Sequence, residues 1–329
     1  MPVAVALVPV ASALACAAVI LTLLRRPGWL PLDRPNERSL HETPKPRVGG
    51  LGIVAGVVLA FLLIRAEPLA ALAAGLAVVS FIDDQRHVPI ALRFGAHALA
   101  AIIFVLVLDP DVHPLWQAVL VLAVVWMTNL YNFMDGSDGL AGGMALFGFG
   151  AYALGAWLSG DAVMSVATGA IAAAALTFLA FNFPPAKVFM GDAGSIPLGF
   201  LAAALGLIGW HAGNWPLWFP VLVFSPFIVD ATLTLARRVL RGERFWLAHR
   251  THYYQRLVQL GWGHRNTALA EYALMAVCGA GALWSLGQAA AAQLWLAAGA
   301  ALVYVVLAVL VDLAWRRHAE GTGGDARPG

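Results

Sequence analysis

The sequence is poor in charged residues. Only 12% of its 329 residues are Asp, Glu, Lys or Arg, whereas roughly a quarter is usual in a soluble domain. Because 61% of the residues are hydrophobic, no soluble core could bury the apolar sequence, and a soluble globular protein is excluded. The formal net charge of +2 and the absence of a soluble basic domain argue against nucleic acid as a partner.

Cysteine is also scarce. Cys16 and Cys278 both lie inside apolar segments and form no CxxC pattern, so neither a disulfide framework nor a zinc site is expected. Both are predicted to be small core residues, because free cysteine usually packs as a hydrophobic side chain.

Apolar segments close to the ~20 residues that cross a bilayer as a helix recur from end to end. They are rich in Ala, Leu, Val and Gly and lack the polar alternation of a membrane barrel. We therefore predict an all-α fold, a polytopic integral membrane helical bundle forming one domain over 1–317, followed by a disordered cytoplasmic tail over 318–329. The predicted spans are 3–24, 49–65, 68–82, 92–108, 115–131, 140–158, 162–182, 195–212, 215–236, 267–286 and 290–315.

The positive charges predict the orientation of these eleven spans. Every Lys and Arg except Arg65 falls in loops that the spans place on one side, in the tail, or just inside the next helix. Because Lys and Arg are retained in the cytoplasm, the N-terminus is predicted outside and the C-terminus in the cytoplasm.

Two adjacent acids, Asp83 and Asp84, directly follow an apolar segment. They are expected at its wet end, because a carboxylate at the bilayer centre would cost ~2.5–3.5 kcal/mol. Their mutual repulsion would be offset by a divalent cation or a neighbouring Arg. A solvated, charged helix end is the alternative.

A second acidic motif contains Asn132, Asp135 and Asp138, spaced three residues apart. The spacing aligns them on one side if the helix continues, and their oxygens suit Mg²⁺. Helix capping and turn formation are the alternative explanation. Asp192, which follows Gly191, has the same two explanations, and a Gly-rich turn at a helix start also binds anions through N–H groups.

The largest internal loop, 237–266, carries His249, Arg250 and His252, which are suitable donors for phosphate oxygens. Its arginines at 237, 238 and 241 are better explained by the charge bias or by anionic lipids. Acids for a cation and bases for phosphate at one membrane face predict transfer between two phosphorylated partners, one soluble and one lipidic.

Several motifs in order resemble the polyprenyl-phosphate N-acetylhexosamine-1-phosphate transferase superfamily, which includes the enzymes that initiate O-antigen and enterobacterial common antigen and the phospho-MurNAc-pentapeptide translocase. The likeness runs from about Asp33 to Arg265. The motifs are Asp33 to His41 with Pro44 to Gly50, the Asp83-Asp84 pair, Asn129 to Gly139, Pro185 to Asp192, and His249 to His252.

The resemblance implies a Mg²⁺-dependent enzyme, with Mn²⁺ as an alternative cofactor. It would transfer an N-acetylhexosamine-1-phosphate from a UDP-amino sugar to undecaprenyl phosphate at the cytoplasmic face of the bacterial inner membrane. The product would initiate O-antigen or another envelope polysaccharide. The sugar is expected to be N-acetylglucosamine or a 6-deoxy amino sugar, and a homodimer is left open.

The resemblance also implies residue roles. Lys45 and Arg47 would lie at the cytoplasmic mouth of the site, and Asp83 and Asp84 would face the lipid phosphate. Asn132 and Asp192 would coordinate Mg²⁺, and His249, Arg250 and His252 would contact the pyrophosphate. The residues around the nucleotide sugar would be Asp135, Asp138, Gly139, Phe189 and Gly191. The candidates for catalysis are Asp83, Asp84, Asp135 and Asp138. For Asp83, a general base, an orienting residue and a metal ligand are all left open.

Other functions are weaker. A MurNAc-pentapeptide substrate is an alternative, but that branch carries three consecutive His where this chain has His249-Arg250-Thr251-His252. A lipid or solute transporter would place ionisable residues near the midplane. Here they crowd one end, and Asp230, ~10 Å deep at 1.5 Å per residue, is the main exception. CDP-alcohol phosphatidyltransferases and prenyl synthases need residues that do not follow Asp135 and Asp84 here.

Overall fold

The computed structural model describes residues 6–25, 31–33, 40, 43–86, 88–244 and 249–323. Within them the chain is nearly all helical, which confirms the predicted helical, polytopic membrane fold. The helices are α1 (Val8–Leu24), α2 (Gly49–Leu63), α3 (Glu67–Arg86), α4 (Ile90–Leu108), α5 (Pro114–Phe133), α6 (Leu140–Ser159), α7 (Ala162–Asn182), α8 (Asp192–His211), α9 (Trp218–Val223), α10 (Ser225–Leu240), α11 (Tyr253–Leu257), a π-helix (Val258–Trp262), α12 (Gly263–Ser285) and α13 (Ala290–Gly323).

Among the described residues, each predicted span except 215–236 overlaps a single helix. Seven helical segments in the described residues are long and apolar enough to cross a bilayer: α4 to α8, the continuous segment Tyr253–Ser285, and α13. Helices α1 and α2 are apolar but shorter, whereas α3 and α10 carry charged ends. The total of eleven spans and the orientation of the termini stay predictions.

The predicted span 215–236 is two helices rather than one. Helix α9 ends at Val223 and α10 begins at Ser225, with Phe224 between them at φ −95° and ψ 9°. Pro226 lies in the first turn of α10, where a residue without an N–H is tolerated because that donor has no intrahelical acceptor.

The N-terminal ends of α2 and α8 meet backbone to backbone. A Cβ added to Gly50 would lie 2.4 Å from the N and Cα atoms of Gly194, so the contact requires glycine. The Gly50 N–H donates to the Met190 carbonyl at 2.9 Å. This contact fixes the segment before α2 beside the turn before α8.

Two short strands, which the all-α prediction did not include, precede α2. Strand β1 (Leu32–Asp33) pairs antiparallel with β2 (Lys45–Pro46), with Asp33 opposite Lys45. The two strands hold the start of the segment Asp33 to His41 beside the segment Pro44 to Gly50. Residues 34–39 and 41–42 of that motif region lie outside the described residues.

The core and the C-terminus complete the bundle. Cys16 and Cys278 are buried and unpaired, as expected of core residues, and the Cys16 thiol donates to the Ala174 carbonyl across α1 and α7 at 3.5 Å.

Helix α13 continues to Gly323, past the expected start of the tail at 318. Residues 324–329 lie outside the described residues, so disorder there stays a prediction.

Candidate active site

Asn132 and Asp192 lie side by side. Asn132 is in the last turn of α5 and Asp192 is the first residue of α8. The Asn132 amide nitrogen donates to Asp192 Oδ1 and to Ser195 Oγ, both at 2.9 Å. Because a helix N-terminus carries partial positive charge, it favours a carboxylate at this position. The structure therefore brings together the two predicted metal ligands.

Asp83 is buried at the end of α3 and contacts the start of α4. Its Oδ2 accepts a hydrogen bond from Arg93 Nη1 at 2.7 Å, and its Oδ1 accepts one from the Val88 N–H at 2.7 Å. The neighbouring Arg93 also reaches Asp192 Oδ2 at 4.0 Å. Asp83 thus belongs to a charged network that extends to the Asn132–Asp192 pair.

Asp84 faces the segment before α2. Its Oδ1 accepts a hydrogen bond from Arg47 Nη1 at 3.3 Å, while Arg47 Nη2 lies 2.9 Å from Asp33 Oδ1. Its Oδ2 is buried and has no hydrogen-bond partner among the described residues. Gly191 lies against it at φ +73°, and an added Cβ there would lie 3.3 Å from Asp84 Oδ2.

The acids of this region repel one another. Asp84 lies beyond the apolar part of α3, and burial and the nearby Asp192 raise its pKa to about 7 despite Arg47. Burial and Asp192 likewise raise the pKa of Asp135 well above its usual value, a shift opposed by Arg47 and by a hydrogen bond from the Gly191 backbone. The carboxylates therefore exceed the positive charge that the chain supplies nearby.

This donor set fits a hard divalent cation. An unpartnered buried oxygen on Asp84 and mutually repelling carboxylates are favourable features for Mg²⁺. Within the described residues, no group of three or more His, Cys, Asp or Glu side chains is close enough to hold a metal ion. Such an ion would therefore take much of its coordination from water and phosphate oxygens, as Mg²⁺ commonly does.

A cleft of about 60 Å³ opens beside the Asn132–Asp192 pair. Val79, Phe94 and Ile196 contribute apolar wall. Its polar lining residues are Ser80, Asp83, Arg93, His97, Asn129, Asn132 and Asp192. The cleft therefore combines charged, neutral polar and apolar lining residues.

Asn132, Asp135 and Asp138 do not form one row on a helix, because only Asn132 lies within α5. The spacing aligns the three only in a continuous helix, and α5 ends at Phe133. Instead, Asp138 Oδ2 accepts a hydrogen bond from the Ala186 N–H at 2.8 Å, and Lys45 Nζ donates to the Ala186 carbonyl at 2.7 Å. Both side chains hold the 183–191 segment in these contacts.

Gly139 also has its backbone groups engaged. It lies at φ +78° before α6. Its N–H donates to Asn182 Oδ1 at 2.9 Å and its carbonyl accepts from the Tyr272 hydroxyl at 2.7 Å. In these contacts Gly139 joins α7 and α12.

Phe189 lies next to Arg47 at the edge of the site. Its N–H donates to the Pro46 carbonyl at 2.8 Å, and its carbonyl accepts from the Gly49 N–H at 2.9 Å. Its side chain is half-buried. These backbone hydrogen bonds make Phe189 a neighbour of Gly49, which lies 140 residues earlier in the sequence.

His252 is buried and held by Asp230. His252 Nδ1 lies 3.2 Å from Asp230 Oδ1, and the same carboxylate accepts hydrogen bonds from the Tyr253 and Tyr254 N–H groups at 2.9 and 3.0 Å. Asp230 therefore fixes the start of α11.

The ring of His252 links the loop to the end of α5. It stacks on His249, with centroids 4.9 Å apart, and on Phe133, with centroids 6.5 Å apart. Burial, His252 and Arg238 lower the pKa of His249 to about 4, so His249 is neutral near pH 7. Arg250 is exposed and is the member of the loop best placed to contact a soluble anion.

Comparisons with known proteins identify the family. The glycosyl transferase family 4 model matches residues 67–210. A probable undecaprenyl-phosphate N-acetylglucosaminyl 1-phosphate transferase of Bacillus subtilis is 30% identical over 73% of each chain. A decaprenyl-phosphate N-acetylglucosaminephosphotransferase of Mycobacterium leprae is 30% identical over 75% of each chain. The chain belongs to glycosyl transferase family 4.

Membership in family 4 confirms the resemblance seen in the motifs and the prediction of a membrane-bound transferase. A phospho-N-acetylmuramoyl-pentapeptide-transferase of Staphylococcus aureus is also similar, at 27% identity over 75% of this chain and 87% of its own length. The matched region, 67–210, contains Asp83, Asp84, Asn132 and Asp192.

Outside the region that the family 4 model matches, a cluster of ion pairs joins α13 to the loop that carries His249, Arg250 and His252, here called the histidine loop. Asp312 lies 2.6 Å from Arg237 Nη1 and 2.8 Å from Arg256 Nη1. Arg256 Nε donates to the Thr251 carbonyl at 2.9 Å, and its guanidinium lies over the Tyr253 ring. Arg237, which the sequence attributed to charge bias, therefore has a specific partner.

Arg93 and His97 line the cleft but were not among the predicted site residues, and Asn129 belonged to a predicted motif without a role of its own. Arg93 was counted only as a positive charge, and His97 lies inside an apolar segment. A signal was present, because Arg93 and His97 are four residues apart and share a helix face. Asn129 lies one turn before Asn132 on α5 and faces the same cleft.

Proposed function

We propose that the chain transfers an N-acetylhexosamine-1-phosphate group from a UDP-amino sugar to undecaprenyl phosphate, giving a polyprenyl-pyrophosphate-linked sugar and UMP. The observation that carries this proposal is the position of Asp192. It lines the cleft that contains Asp83 and Arg93, and it acts electrostatically on Asp84 and Asp135. We call Asp84, Asp135 and Asp192 the acidic cluster. A phosphate bound in the cleft and a phosphate bound at the acidic cluster would therefore be adjacent.

The acceptor is assigned to the cleft. Phe94 and Ile196 provide apolar surface for the first part of a polyprenyl chain, and Arg93 provides positive charge for its phosphate. Arg93 is held in place by Asp83, so its guanidinium is oriented before a substrate binds. This assignment agrees with the undecaprenyl and decaprenyl phosphates in the names of the relatives.

The donor is assigned to the opposite side of Asp192. Arg47 lies between Asp33 and Asp84 and is close to Gly191, where it would contact the donor pyrophosphate. Arg250 would approach from the histidine loop. Phe189, beside Arg47, is the aromatic side chain we assign to the uracil ring.

Mg²⁺, or Mn²⁺ in its place, would be held by Asn132 and Asp192, with Asp84 and Asp135 nearby. Bound there, the ion would neutralise charge on the donor phosphates. Asp192 is kept in place by the Asn132 amide and by its position at the start of α8. Catalysis would then consist mainly of orienting two phosphates and stabilising the charge that develops between them.

The donor sugar is proposed to be N-acetylglucosamine or a 6-deoxy amino sugar, and the product to begin O-antigen or another cell-envelope polysaccharide. The charge bias of the loops supports a site on the cytoplasmic face of the bacterial inner membrane. UDP-MurNAc-pentapeptide is the second candidate donor, favoured by the similarity to the Staphylococcus aureus protein.

The test is a donor panel. Purified protein in detergent is incubated with undecaprenyl phosphate, MgCl₂ and one UDP-sugar at a time: the N-acetylglucosamine, two 6-deoxy amino sugar and MurNAc-pentapeptide donors. We expect UMP release from an N-acetylhexosamine donor, and none without undecaprenyl phosphate or with excess EDTA. No UMP from any donor would contradict the proposal, as would uptake of a labelled substrate into proteoliposomes without UMP formation.

A further inference from the structure

Both carboxylate oxygens of Asp83 accept hydrogen bonds from within the chain. Oδ1 accepts the Val88 N–H and Oδ2 accepts Arg93 Nη1, each at 2.7 Å. Asp83 is therefore suited to orienting Arg93 and the start of α4.

His97, in the same cleft, has an uncommitted ring nitrogen. Its Nδ1 lies 3.2 Å from Asn129 Oδ1, and Asn129 Nδ2 donates to the Val125 carbonyl at 2.7 Å. Because a carbonyl only accepts, the second bond fixes the amide with its oxygen toward His97, and Nδ1 must carry the proton. Nε2 then holds a lone pair and has no hydrogen-bond partner among the described residues.

Charged side chains from three helices surround His97. The charged groups that face it are Arg93 on α4, Asp83 on α3 and Asp192 on α8. Helix α5 contributes two neutral side chains, Asn129 and Asn132. A phosphate monoester loses its second proton near pH 6 in water. In the cleft the two carboxylates favour retention of that proton and Arg93 favours its loss. A phosphate that binds with the proton still needs an acceptor for it before its oxygen can attack.

We infer that His97 is a catalytic residue, which takes the proton of the acceptor phosphate at Nε2; this inference rests on the proposed function. The phosphate oxygen loses its proton to Nε2 as it bonds to the sugar-linked phosphorus. The bond from that phosphorus to the oxygen it shares with UMP breaks, and the electron pair stays on UMP. Asn129 accepts the Nδ1–H throughout and stabilises the imidazolium, which returns its proton to water as products leave.

The first test compares His97→Gln with wild type. Glutamine retains a side-chain amide that can donate to Asn129 but cannot take the proton. Because general base catalysis typically contributes about 10²–10⁴-fold, we expect kcat for UMP release to fall about 100-fold or more, with KM for the UDP-sugar little changed. His211→Gln, at the far end of α8, is the matched control and should retain wild-type kcat.

The second test is chemical rescue of His97→Ala. Imidazole added to this variant should restore UMP release in proportion to its concentration. Pyrazole, a ring of nearly the same size but a much weaker base, should not. Equal rescue by both rings would mean that the pocket only needs filling, and would overturn the inference.

The outcomes separate this inference from the proposed function. If wild type releases no UMP from any donor, the proposed function fails. If wild type is active and His97→Gln keeps kcat within a factor of two, only the inference about His97 fails. If His97→Ala is not recovered as folded protein, the His97→Gln comparison decides alone: the expected fall in kcat at unchanged KM supports the inference, and a rise in KM at unchanged kcat overturns it.

Discussion

The Asn132 amide donates to the Asp192 carboxylate at 2.9 Å, although 60 residues separate the two in the sequence. One residue ends α5 and the other begins α8. The bond lies where the cleft lined by Asp83 and Arg93 meets the acidic cluster around Asp84. In our account the two substrates react on either side of it.

Replacing Asp192 by Asn keeps the shape of the side chain and removes its charge. We expect UMP release to fall by about 100-fold or more, the usual effect of losing one group that stabilises charge in the transition state. Membrane insertion should be unchanged, because the side chain is 30% exposed at a helix end. The measurement is UMP release across a range of MgCl₂ concentrations. Asp109→Asn is the control, because Asp109 follows the end of α4 that lies away from the site. Full activity of the Asp192 variant would refute the metal assignment.

Gly191→Ala tests the packing of the turn before α8. A non-glycine residue at φ +73° and ψ 169° is strained by about 1–3 kcal/mol, and the added Cβ would also press on Arg47 and Asp84 at 3.3 Å. Gly213→Ala is a matched control, because Gly213 has φ +78° and no neighbouring atom within 4 Å of an added Cβ. Both variants should lower the thermal midpoint, and only Gly191→Ala should lower kcat. Equal kcat values would show that Arg47 and Asp84 need no defined position.

Asp138 should behave as a structural acid. Its Oδ2 accepts the Ala186 N–H, and an asparagine oxygen can accept the same bond. We therefore expect Asp138→Asn to retain clearly more UMP release than Asp138→Ala, with both measured at saturating substrates. Equal, near-complete loss in the two variants would indicate that the negative charge itself is needed for catalysis.

Asp312 should affect donor binding from outside the family 4 region. Without its carboxylate, Arg256 loses the partner that holds it against the Thr251 carbonyl, and the histidine loop is less well positioned. We expect Asp312→Asn to raise KM for the UDP-sugar several-fold with a smaller effect on kcat, and Asp312→Glu to restore most of the difference. Glu243→Gln removes an ion pair with Arg238 and serves as the control. An unchanged KM in Asp312→Asn would contradict this role.

The sequence predicted the helices well, because hydropathy alone decides which segments can enter a membrane. It also predicted that the polar residues at the ends of α3, α5 and α8 lie together, since charge places these ends on one side. The break at Phe224 was missed because both flanking segments are apolar. The alignment of Asn132, Asp135 and Asp138 depended on a continuing helix, and α5 ends at Phe133.

The interior polar contacts could not be predicted in the same way. His97 and Asn129 lie within apolar segments, and their pairing depends on how α4 rotates against α5. Asp312 contacts Arg237 and Arg256 only because α13 packs beside α10 and α11. Such contacts follow from tertiary packing, which residue spacing along one segment does not contain.

The most direct test of the account follows the sugar-linked phosphorus. UDP-N-acetylglucosamine, or the donor that the panel selects, is labelled at its β-phosphate and incubated with the protein and undecaprenyl phosphate. The account predicts that the label moves into the lipid fraction in equal amount to the UMP released, because the sugar is transferred together with its phosphate. Label that stays in the aqueous fraction as UDP, with unlabelled sugar on the lipid, would contradict it.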